Sequence, residues 1–387
     1  MIGRMIVTKI LFVSNIAKRV GTFSAASIAA SKLCGMEYYY AANWEASTLE
    51  QRKEDEEKYG IRLIHIDLAR SPYSLRNIKA YKQLVEFVNK ERIDYIHCNT
   101  PVGGILGRLV GEKCKVKKVI YQVHGFHFFD GAPKKNWLIY YPVEKWLAKK
   151  TDVIITINKE DFARARTFKL KNEGKVYYVP GVGIDLTQYI LPENVRKIKR
   201  EELGLKGSDI ALISMGDLIE RKNYSVAIEA VAKINNSNVH YYICGKGPEE
   251  EKLRAIAKKM GVDKQIHFLG YRSDIKELLK ASDIFMFTSK QEGLARSLME
   301  AMASGLPCVV SKIRGNTDLI ENTQCGFLCN NVEEYTDAIN RVLDMHTTNI
   351  MQNACLERIK QFDVETVTSK LHEIYQKELL NKGSDCK

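Results

Sequence analysis

Residues 292–307 read EGLARSLMEAMASGLP, which puts Glu292 directly after an apolar run and Glu300 eight positions further on, inside a helical pattern. A helix N-terminus carries about half a positive charge and free backbone N–H groups, so the amides of Gly293 and Leu294 suit a phosphate or a sugar hydroxyl. Glu292 beside them would repel an anion, so what it can take from such a ligand is its neutral hydroxyls. Glu300 can accept both hydroxyls of a ribose. A nucleotide sugar, which carries phosphate and hydroxyls together, meets all three demands. The same letters have a structural alternative. Ser297 and Glu300 stand at capping-box spacing, with Leu298, Met299 and Met302 facing a core, Gly305 ending the helix and Pro307 stopping it.

Other residues capable of chemistry also follow apolar runs. His124 and His127 come after KVIYQV, Gly216, Arg221 and Lys222 after DIALISM, and Tyr271 and Arg272 after IHFL. His97 and Asn99, in YIHCNTP, are acceptor-side candidates, as is His127, although His97 and His127 serve equally well as packing residues. Breaking a bond between an anomeric carbon and a diphosphate leaves negative charge, which enzymes hold with a metal or with fixed cations and helix dipoles. The chain has no Asp-x-Asp pair to hold a metal. Lys222, Arg221 and the helix beginning near Ser297 are therefore expected to do this, with no metal site and no cofactor beyond the nucleotide-sugar co-substrate.

These residues need elements to hold them. Short apolar runs (KILFVS, IRLIHI, DYIHC, KVIYQV, DVIITI) alternate with helical stretches such as NIKAYKQLVEFVNK, and the pattern restarts with DIALISMG, VHYYICG, QIHFLG, SDIFMFTS and PCVVS. Such alternation implies crossover units and parallel sheets buried on both faces. Between the two series, VPGVGIDLTQYILPEN has two prolines and two glycines and reads as a linker. The expected fold class is α/β, two doubly wound Rossmann-like domains facing a central cleft. An N-terminal acceptor domain spans 1–180, a linker 181–195 and a C-terminal nucleotide-sugar domain 196–363. A helix at 364–380 packs back toward the N-terminal domain, and a disordered tail follows at 381–387. Ligands in such sheets bind beyond the carboxyl ends of the strands. The aromatics of NWLIYYPVEKWL are expected in a core rather than against lipid.

Composition narrows the classes. The chain has 387 residues, enough for two cores, and 45% hydrophobic with 27% charged residues, as in a soluble globular protein. No uncharged apolar run approaches the ~18 residues of a membrane span, and MIGRMIVTKILFVS reads as a first strand rather than a signal peptide. Nine cysteines, an odd number scattered among the elements, point to reduced packing thiols and a cytoplasmic setting. Residues 1–180 hold 31 Lys and Arg against 18 Asp and Glu, a balance of +13, whereas the remainder balances at −1. With no helix-turn-helix, zinc-finger or ribonucleoprotein pattern, nucleic acid is not an expected partner. The basic half suits an anionic membrane surface or an anionic substrate, which places the protein on the inner face of the cell membrane.

EGLARSLMEAMASGLP resembles the Glu-x7-Glu motif of retaining glycosyltransferases of family 4, which have the GT-B fold. MGDLIERKN is similar to that family's diphosphate motif, with Asp217 where an arginine is usual and Arg221 a possible replacement. HGFHFFDGAPKKNWLIYYPVEKWLAKKTDVIITINKEDFARA and VPGVGID resemble bacterial capsule and exopolysaccharide enzymes, some of which extend undecaprenyl-diphosphate sugars. The resemblance implies that Lys222 neutralises the donor diphosphate, Glu292 binds the donor sugar and Glu300 the ribose. It places His124 against the sugar, the phosphate side or the reacting centre, Tyr271 and Arg272 beside the base, and Gly21 near the phosphate or acceptor. The implied reaction moves an N-acetylhexosamine or hexose from a UDP-sugar to a lipid-linked or other glycan acceptor. Configuration is retained by same-face transfer, in which the leaving phosphate takes the acceptor's proton. The glycine loop is reduced to RVGTFS. A nucleotide-sugar epimerase of the same fold and a catalytically silent partner subunit are the rival readings. A dehydrogenase is disfavoured, because Glu250 replaces the third glycine of the partial fingerprint in YYICGKGPEEE.

Overall fold

Each apolar run becomes a strand buried on both faces, which requires helices on either side of its sheet. In the computed structural model, which describes residues 7–321, 324–343 and 345–380, the chain divides into two units. Unit 1 comprises residues up to Gly183 together with those from Val364 onward, and unit 2 comprises Ile184–Asp363. Unit 1 carries β1 (Lys9–Ile16), β2 (Glu37–Asn43), β3 (Arg62–His65), β4 (Tyr95–Asn99), β5 (Lys118–Val123), β6 (Val153–Thr156) and β7 (Lys175–Tyr178). They form one parallel sheet in the order β3-β2-β1-β4-β5-β6-β7. Unit 2 carries β8 (Ile210–Met215), β9 (Val239–Cys244), β10 (Ile266–Gly270), β11 (Ile284–Phe287), β12 (Cys308–Ser311) and β13 (Gly326–Cys329), also all parallel, in the order β10-β9-β8-β11-β12-β13. In both sheets the strand order reverses, between β1 and β4 and between β8 and β11. A crevice opens at the carboxyl ends of such a switch point.

β2, β7 and β13 do not stand out in the sequence. β2 (EYYYAAN) is dominated by tyrosines, of which Tyr38, Tyr39 and Tyr40 are buried, and β7 and β13 are four residues each. Within 181–195, the residues from Ile184 onward belong to unit 2. The Ile184 amide donates to the Phe362 carbonyl at 3.0 Å, Tyr189 is buried, and a helix begins at Glu193. The 381–387 tail lies outside the described residues, as does Cys386. The described cysteines form no disulfide.

The last helix, Val364–Tyr375 with a π-helical turn Gln376–Leu380, belongs to unit 1. Its Val367, Leu371, Ile374, Tyr375 and Leu379 share a core with Ile10, Phe12, Tyr38 and Tyr40. Tyr95, His97 and Asn99 alternate onto one face of β4. The helix takes the first two, since the Tyr95 hydroxyl donates to the Leu379 carbonyl and the Tyr375 hydroxyl lies 2.5 Å from His97 Nδ1. Glu378 completes the docking by accepting from Tyr177 (2.6 Å) and Lys118 (3.2 Å).

The helix Lys134–Ala148 meets the expectation for its aromatics in part: Trp137 and Tyr141 pack against the core, whereas Tyr140 and Trp146 are exposed. Leu147 and Ala148 are buried, but Leu138 is 78% exposed, Ile139 51%, Trp146 49% and Val143 40%. Trp137 and Tyr141 pack on Phe128, which turns the opposite residues outward. A charge pair holds this helix to the helix Pro101–Cys114: Arg108, fully buried, donates to both oxygens of Glu144 at 2.7 and 3.2 Å and lies 3.8 Å over the Tyr121 ring. Removing one partner of a buried pair leaves an uncompensated charge. Glu144→Ala should therefore lower the unfolding free energy by about 3–5 kcal/mol, and Arg108→Met combined with Glu144→Leu should recover most of that loss. Urea denaturation of the three proteins checks this; a single-variant loss under ~1 kcal/mol would mean the guanidinium reaches water.

Candidate functional site

In unit 2 the loops after β8 and β11, the two strands flanking the switch point, are knitted together. Lys290 N–H donates to the Arg221 carbonyl at 2.8 Å, and the Thr288 hydroxyl donates to the Lys222 carbonyl at 3.0 Å. Their side chains converge on a single oxygen. Glu292 Oε1 accepts from Lys222 Nζ (2.9 Å), Arg221 (2.7 Å) and the Ser289 hydroxyl (2.7 Å). Burial pushes the Glu292 carboxyl up, but the Lys222 charge, the hydrogen bonds from Lys222 and Ser289 and the Arg221 charge outweigh it, holding the group below the usual carboxylate range. Lys222 is mostly buried, and its ammonium lies 4.6 Å over the Phe287 ring. Asp217 is exposed, and Arg221 is the second cation on the Glu292 oxygen.

The helix that follows is Arg296–Ala303, and it corrects the capping-box alternative. Its N-cap is Ala295 with no side-chain cap, so Ser297 already lies inside the first turn. Gly305 does terminate it, in the left-handed region at φ +74°. Ahead of the helix, the N–H groups of Gly293 and Leu294 meet no acceptor among the described residues. The bend is held from behind by Gly315, at φ +81°, where a Cβ would come within 2.4 Å of the Gly293 carbonyl oxygen. Arg314, almost fully buried, donates Nε to the Glu292 carbonyl at 3.1 Å. Glu300 accepts from Arg296 Nε at 2.9 Å and stands beside Tyr189, whose hydroxyl is raised by burial first and by the Glu300 charge next.

Gly216 ends β8, and a Cβ on it would lie 3.1 Å from Lys222 Cε. The glycines of the partial dinucleotide fingerprint serve packing instead. A Cβ on Gly245 would fall 2.0 Å from the Gly216 carbonyl oxygen, and one on Gly247 2.3 Å from that of Leu218. Tyr271 is exposed, and Arg272 is engaged by Asp274 (2.7 Å) and Glu202 (2.9 Å). Both follow β10, which β9 separates from β8, so about 10 Å of sheet lies between them and the switch point. The structure thus brings Gly216, Arg221, Lys222, Glu292, Gly293 and Leu294 together, and sets Glu300 one turn along the helix and Tyr271 and Arg272 to one side.

In unit 1 the switch point joins the end of β1 to that of β4. Asn15 Oδ1 accepts from the Thr100 hydroxyl (2.8 Å) and the Gly103 N–H (2.6 Å). Thr100 has φ +62°, ψ 156°, a conformation that costs a β-branched residue about 1–3 kcal/mol and persists only where the surroundings enforce it. Asn99, buried, donates Nδ2 to His124 Nε2 at 3.3 Å, while Asn99 Oδ1 and His124 Nδ1 meet no partner among the described residues. That pairing puts the His124 proton on Nδ1. Phe23, two residues past Gly21, meets the His124 ring edge-on at 5.1 Å. Gly21 is the exposed N-cap of the helix Thr22–Leu33 at φ −143°. His127 stacks on Tyr140 at 4.6 Å, and its carbonyl accepts from Asn136. His97 is corrected to a packing role: it is fully enclosed between Phe12 and Tyr375, and burial first lowers it to about 3.

Sequence reading missed Ser289, Arg314, Arg296 and Tyr189. KIRGNTD, following the run CVVS, carried the same strand-end signal as the residues that were selected, but Tyr189 lay in the presumed linker. A further group, Glu45, His65 and Asp67, has ligand atoms within 4.8 Å of one another, but Arg76 and Lys79 already pair with its carboxylates. No described helix is long and apolar enough to cross a membrane.

Two doubly wound parallel-sheet units, with polar residues gathered at a switch point, are an enzyme architecture, and the comparisons identify the family. The family described as Glycosyl transferases group 1 matches residues 195–362, and Glycosyl transferase 4-like matches 45–158. EpsD of Bacillus subtilis is 33% identical over 83% of each chain. The UDP-Gal:alpha-D-GlcNAc-diphosphoundecaprenol alpha-1,3-galactosyltransferase of Escherichia coli is 31% identical over 81% of this chain and 83% of that one. The fold is also that of HepE from Anabaena, solved with UDP and glucose (TM-score 0.77, 22% identity, 96% of this chain and 100% of that one), and of WaaG (0.70, 17%, 95% and 99%). The chain belongs to the family 4 glycosyltransferases of GT-B fold, among those of capsule and exopolysaccharide biosynthesis, and it transfers sugar from a sugar-nucleotide donor.

Burial moves the His124 imidazole down to about 4. Between there and the unfolded value near 6.5 the unfolded chain binds more protons than the folded one, so stability falls as pH falls through that window. From pH 7 to pH 5 His124 should contribute a loss of about 1–2 kcal/mol. His124→Gln should accordingly lose less stability than the parent over that interval, as read from urea midpoints. An equal loss would show that the ring is not held neutral.

Proposed function

We propose that the protein transfers a hexose or N-acetylhexosamine from a UDP-sugar to an undecaprenyl-diphosphate-linked or other glycan acceptor, with retention and without a metal. The observation that carries this reading is the shared Glu292 oxygen. Lys222 and Arg221 are paired with that carboxylate beside two unengaged amides. An arriving diphosphate takes the cations and the N–H groups of Gly293 and Leu294, and Glu292 turns to the hydroxyls of the donor sugar. Glu300, steadied by Arg296, takes the ribose. The E. coli relative, whose name specifies UDP-Gal and a diphosphoundecaprenol acceptor, supports both the nucleotide and the acceptor kind.

As the bond from the anomeric carbon to the diphosphate oxygen breaks, Lys222, Arg221 and the two amides stabilise the charge gathering on the leaving group. The acceptor hydroxyl oxygen bonds to the same face of that carbon, and its proton passes to the released diphosphate oxygen. No carboxylate need form a covalent intermediate, and fixed cations do what a metal does elsewhere. On the acceptor side, His124 and Asn99, paired through Nε2 and Nδ2 beyond the carboxyl end of β4, are the polar groups nearest the switch point. The +13 balance of residues 1–180 supports attachment to the anionic inner face of the membrane where such acceptors reside.

The test is UDP release from a panel of UDP-sugars in EDTA, with and without an undecaprenyl-diphosphate-sugar. One donor should respond, and release should rise sharply with the lipid. Lys222→Ala, Glu292→Gln and Glu300→Gln should each reduce kcat/KM by about 100-fold or more with the fold intact. Acceptor-independent release would instead indicate an epimerase or hydrolase. UDP binding without release on any acceptor would favour a silent partner subunit.

A further inference from the structure

The loop that carries Glu292 is tied down without the help of the Ser289 side chain. Thr288 and Lys290 already donate to the carbonyls of Lys222 and Arg221. Between them, the Ser289 carbonyl accepts from the Ser311 hydroxyl at 2.6 Å. Ser311 ends β12, the neighbour of β11 in the sheet. Asn316 steadies it in turn, donating Nδ2 to its carbonyl at 2.9 Å and to its hydroxyl at 3.2 Å. Ser289, Ser311 and Asn316 are all buried. The backbone here is thus anchored at three successive residues, and the Ser289 hydroxyl is left over.

That hydroxyl has one proton to give and three oxygens near it. The carbonyls of Arg221 and Gln291 lie at 3.4 and 3.5 Å, the outer limit of a hydrogen bond, whereas Glu292 Oε1 lies at 2.7 Å. The proton therefore goes to the carboxylate. Glu292 Oε2 meets no donor among the described residues, so the serine fixes one oxygen and leaves the other to a ligand. Lys222 and Arg221 share Oε1, but they are the cations that a diphosphate draws away. Ser289 is neutral and only 1% exposed, so a diphosphate does not compete for its proton. A hydrogen bond to an ionised carboxylate favours the ionised form.

We propose that Ser289, braced by Ser311 and Asn316, is a positioning residue that keeps Glu292 oriented and ionised after Lys222 and Arg221 have passed to the donor diphosphate. The proposal rests on the reading of Glu292 as the carboxylate that receives the hydroxyls of the donor sugar. Ser289 itself touches no substrate. It selects which oxygen of Glu292 is presented, and it is the one donor that stays when the cations change partner.

The probe is UDP, titrated calorimetrically into the full chain in two buffers of different ionisation enthalpy, which counts the protons taken up on binding without any turnover. At about pH 5.5, Ser289→Ala should take up at least ~0.3 proton more per UDP than the parent, because a buried carboxylate without donors protonates. Its affinity for UDP should stay within about threefold, since the cations and amides that hold the diphosphate are untouched. Protons belonging to UDP itself cancel in the difference. Ser311→Ala keeps the hydroxyl but frees the Ser289 carbonyl; it should shift the count in the same direction by less, and it carries the test if Ser289→Ala misfolds. In the Glu292→Gln background the excess should vanish. A parental proton count in the variant that carries the test, or an excess that survives Glu292→Gln, overturns the proposal. So does a loss of UDP affinity of about tenfold or more with an unchanged count, which would make the serine a strut of the loop. With the donor that the panel identifies, Ser289→Ala should lower kcat about tenfold or more and move the acid limb of its pH profile upward. Excess uptake in a protein that turns over no donor supports the positioning role while removing the transferase reading; a parent that binds no UDP removes both.

Discussion

A single carboxylate oxygen, Glu292 Oε1, joins the two loops that flank the switch point of unit 2, accepting from Lys222, Arg221 and Ser289 together. Burying charged groups is costly unless they are paired, and here the pairing supplies an electrostatic ground state. The carboxylate stays ionised despite burial, and the cations are held in place before any diphosphate arrives. Much of the surrounding architecture serves that contact. The β8–β11 adjacency sets the loops side by side, Gly315 lets the 314–316 turn press against Gly293, and Arg314 fixes the carbonyl of Glu292 itself. The donors a phosphate would use are thus preorganised, which is where electrostatic catalysis gains most.

Unit 1 uses buried polar groups differently. Its C-terminal helix, far from β4 in sequence, closes over Tyr95 and His97 and leaves Asn99, the next residue on that face, beside His124. The helix therefore decides which members of one polar row it covers and leaves Asn99 to pair with His124. Thr100 holds an unfavourable backbone conformation just beyond them, supported by Asn15. Strained backbone of this kind clusters at ligand sites and persists only where its surroundings enforce it.

Most strands, and the convergence of Lys222, Arg221 and Glu292 beyond them, were legible from the chain because parallel strands are continuous apolar runs whose following loops meet at the carboxyl ends. What was not legible involved partners far away in sequence. His97 reads as a potential ligand until Tyr375 covers it. Ser297 and Glu300 match a local capping pattern, yet tertiary contacts to the preceding bend start the helix at Arg296, so local spacing lost to long-range packing. Tyr189 was hidden because proline and glycine mark irregular backbone, not backbone remote from a site.

The 134–148 helix shows the same limit in reverse. Periodicity identifies an amphipathic or apolar helix but not what covers its apolar residues. The Arg108–Glu144 pair pins one side of the helix to its neighbour and Phe128 takes Trp137 and Tyr141, which leaves Leu138, Ile139, Val143 and Trp146 facing outward. The helix is held on one side by the ion pair and by Trp137, Tyr141, Leu147 and Ala148, and its opposite apolar residues remain exposed. The charged pair and the exposed hydrophobic wall are thus two consequences of one packing arrangement, and the cavity that Ile139 and Val143 line also reaches His124.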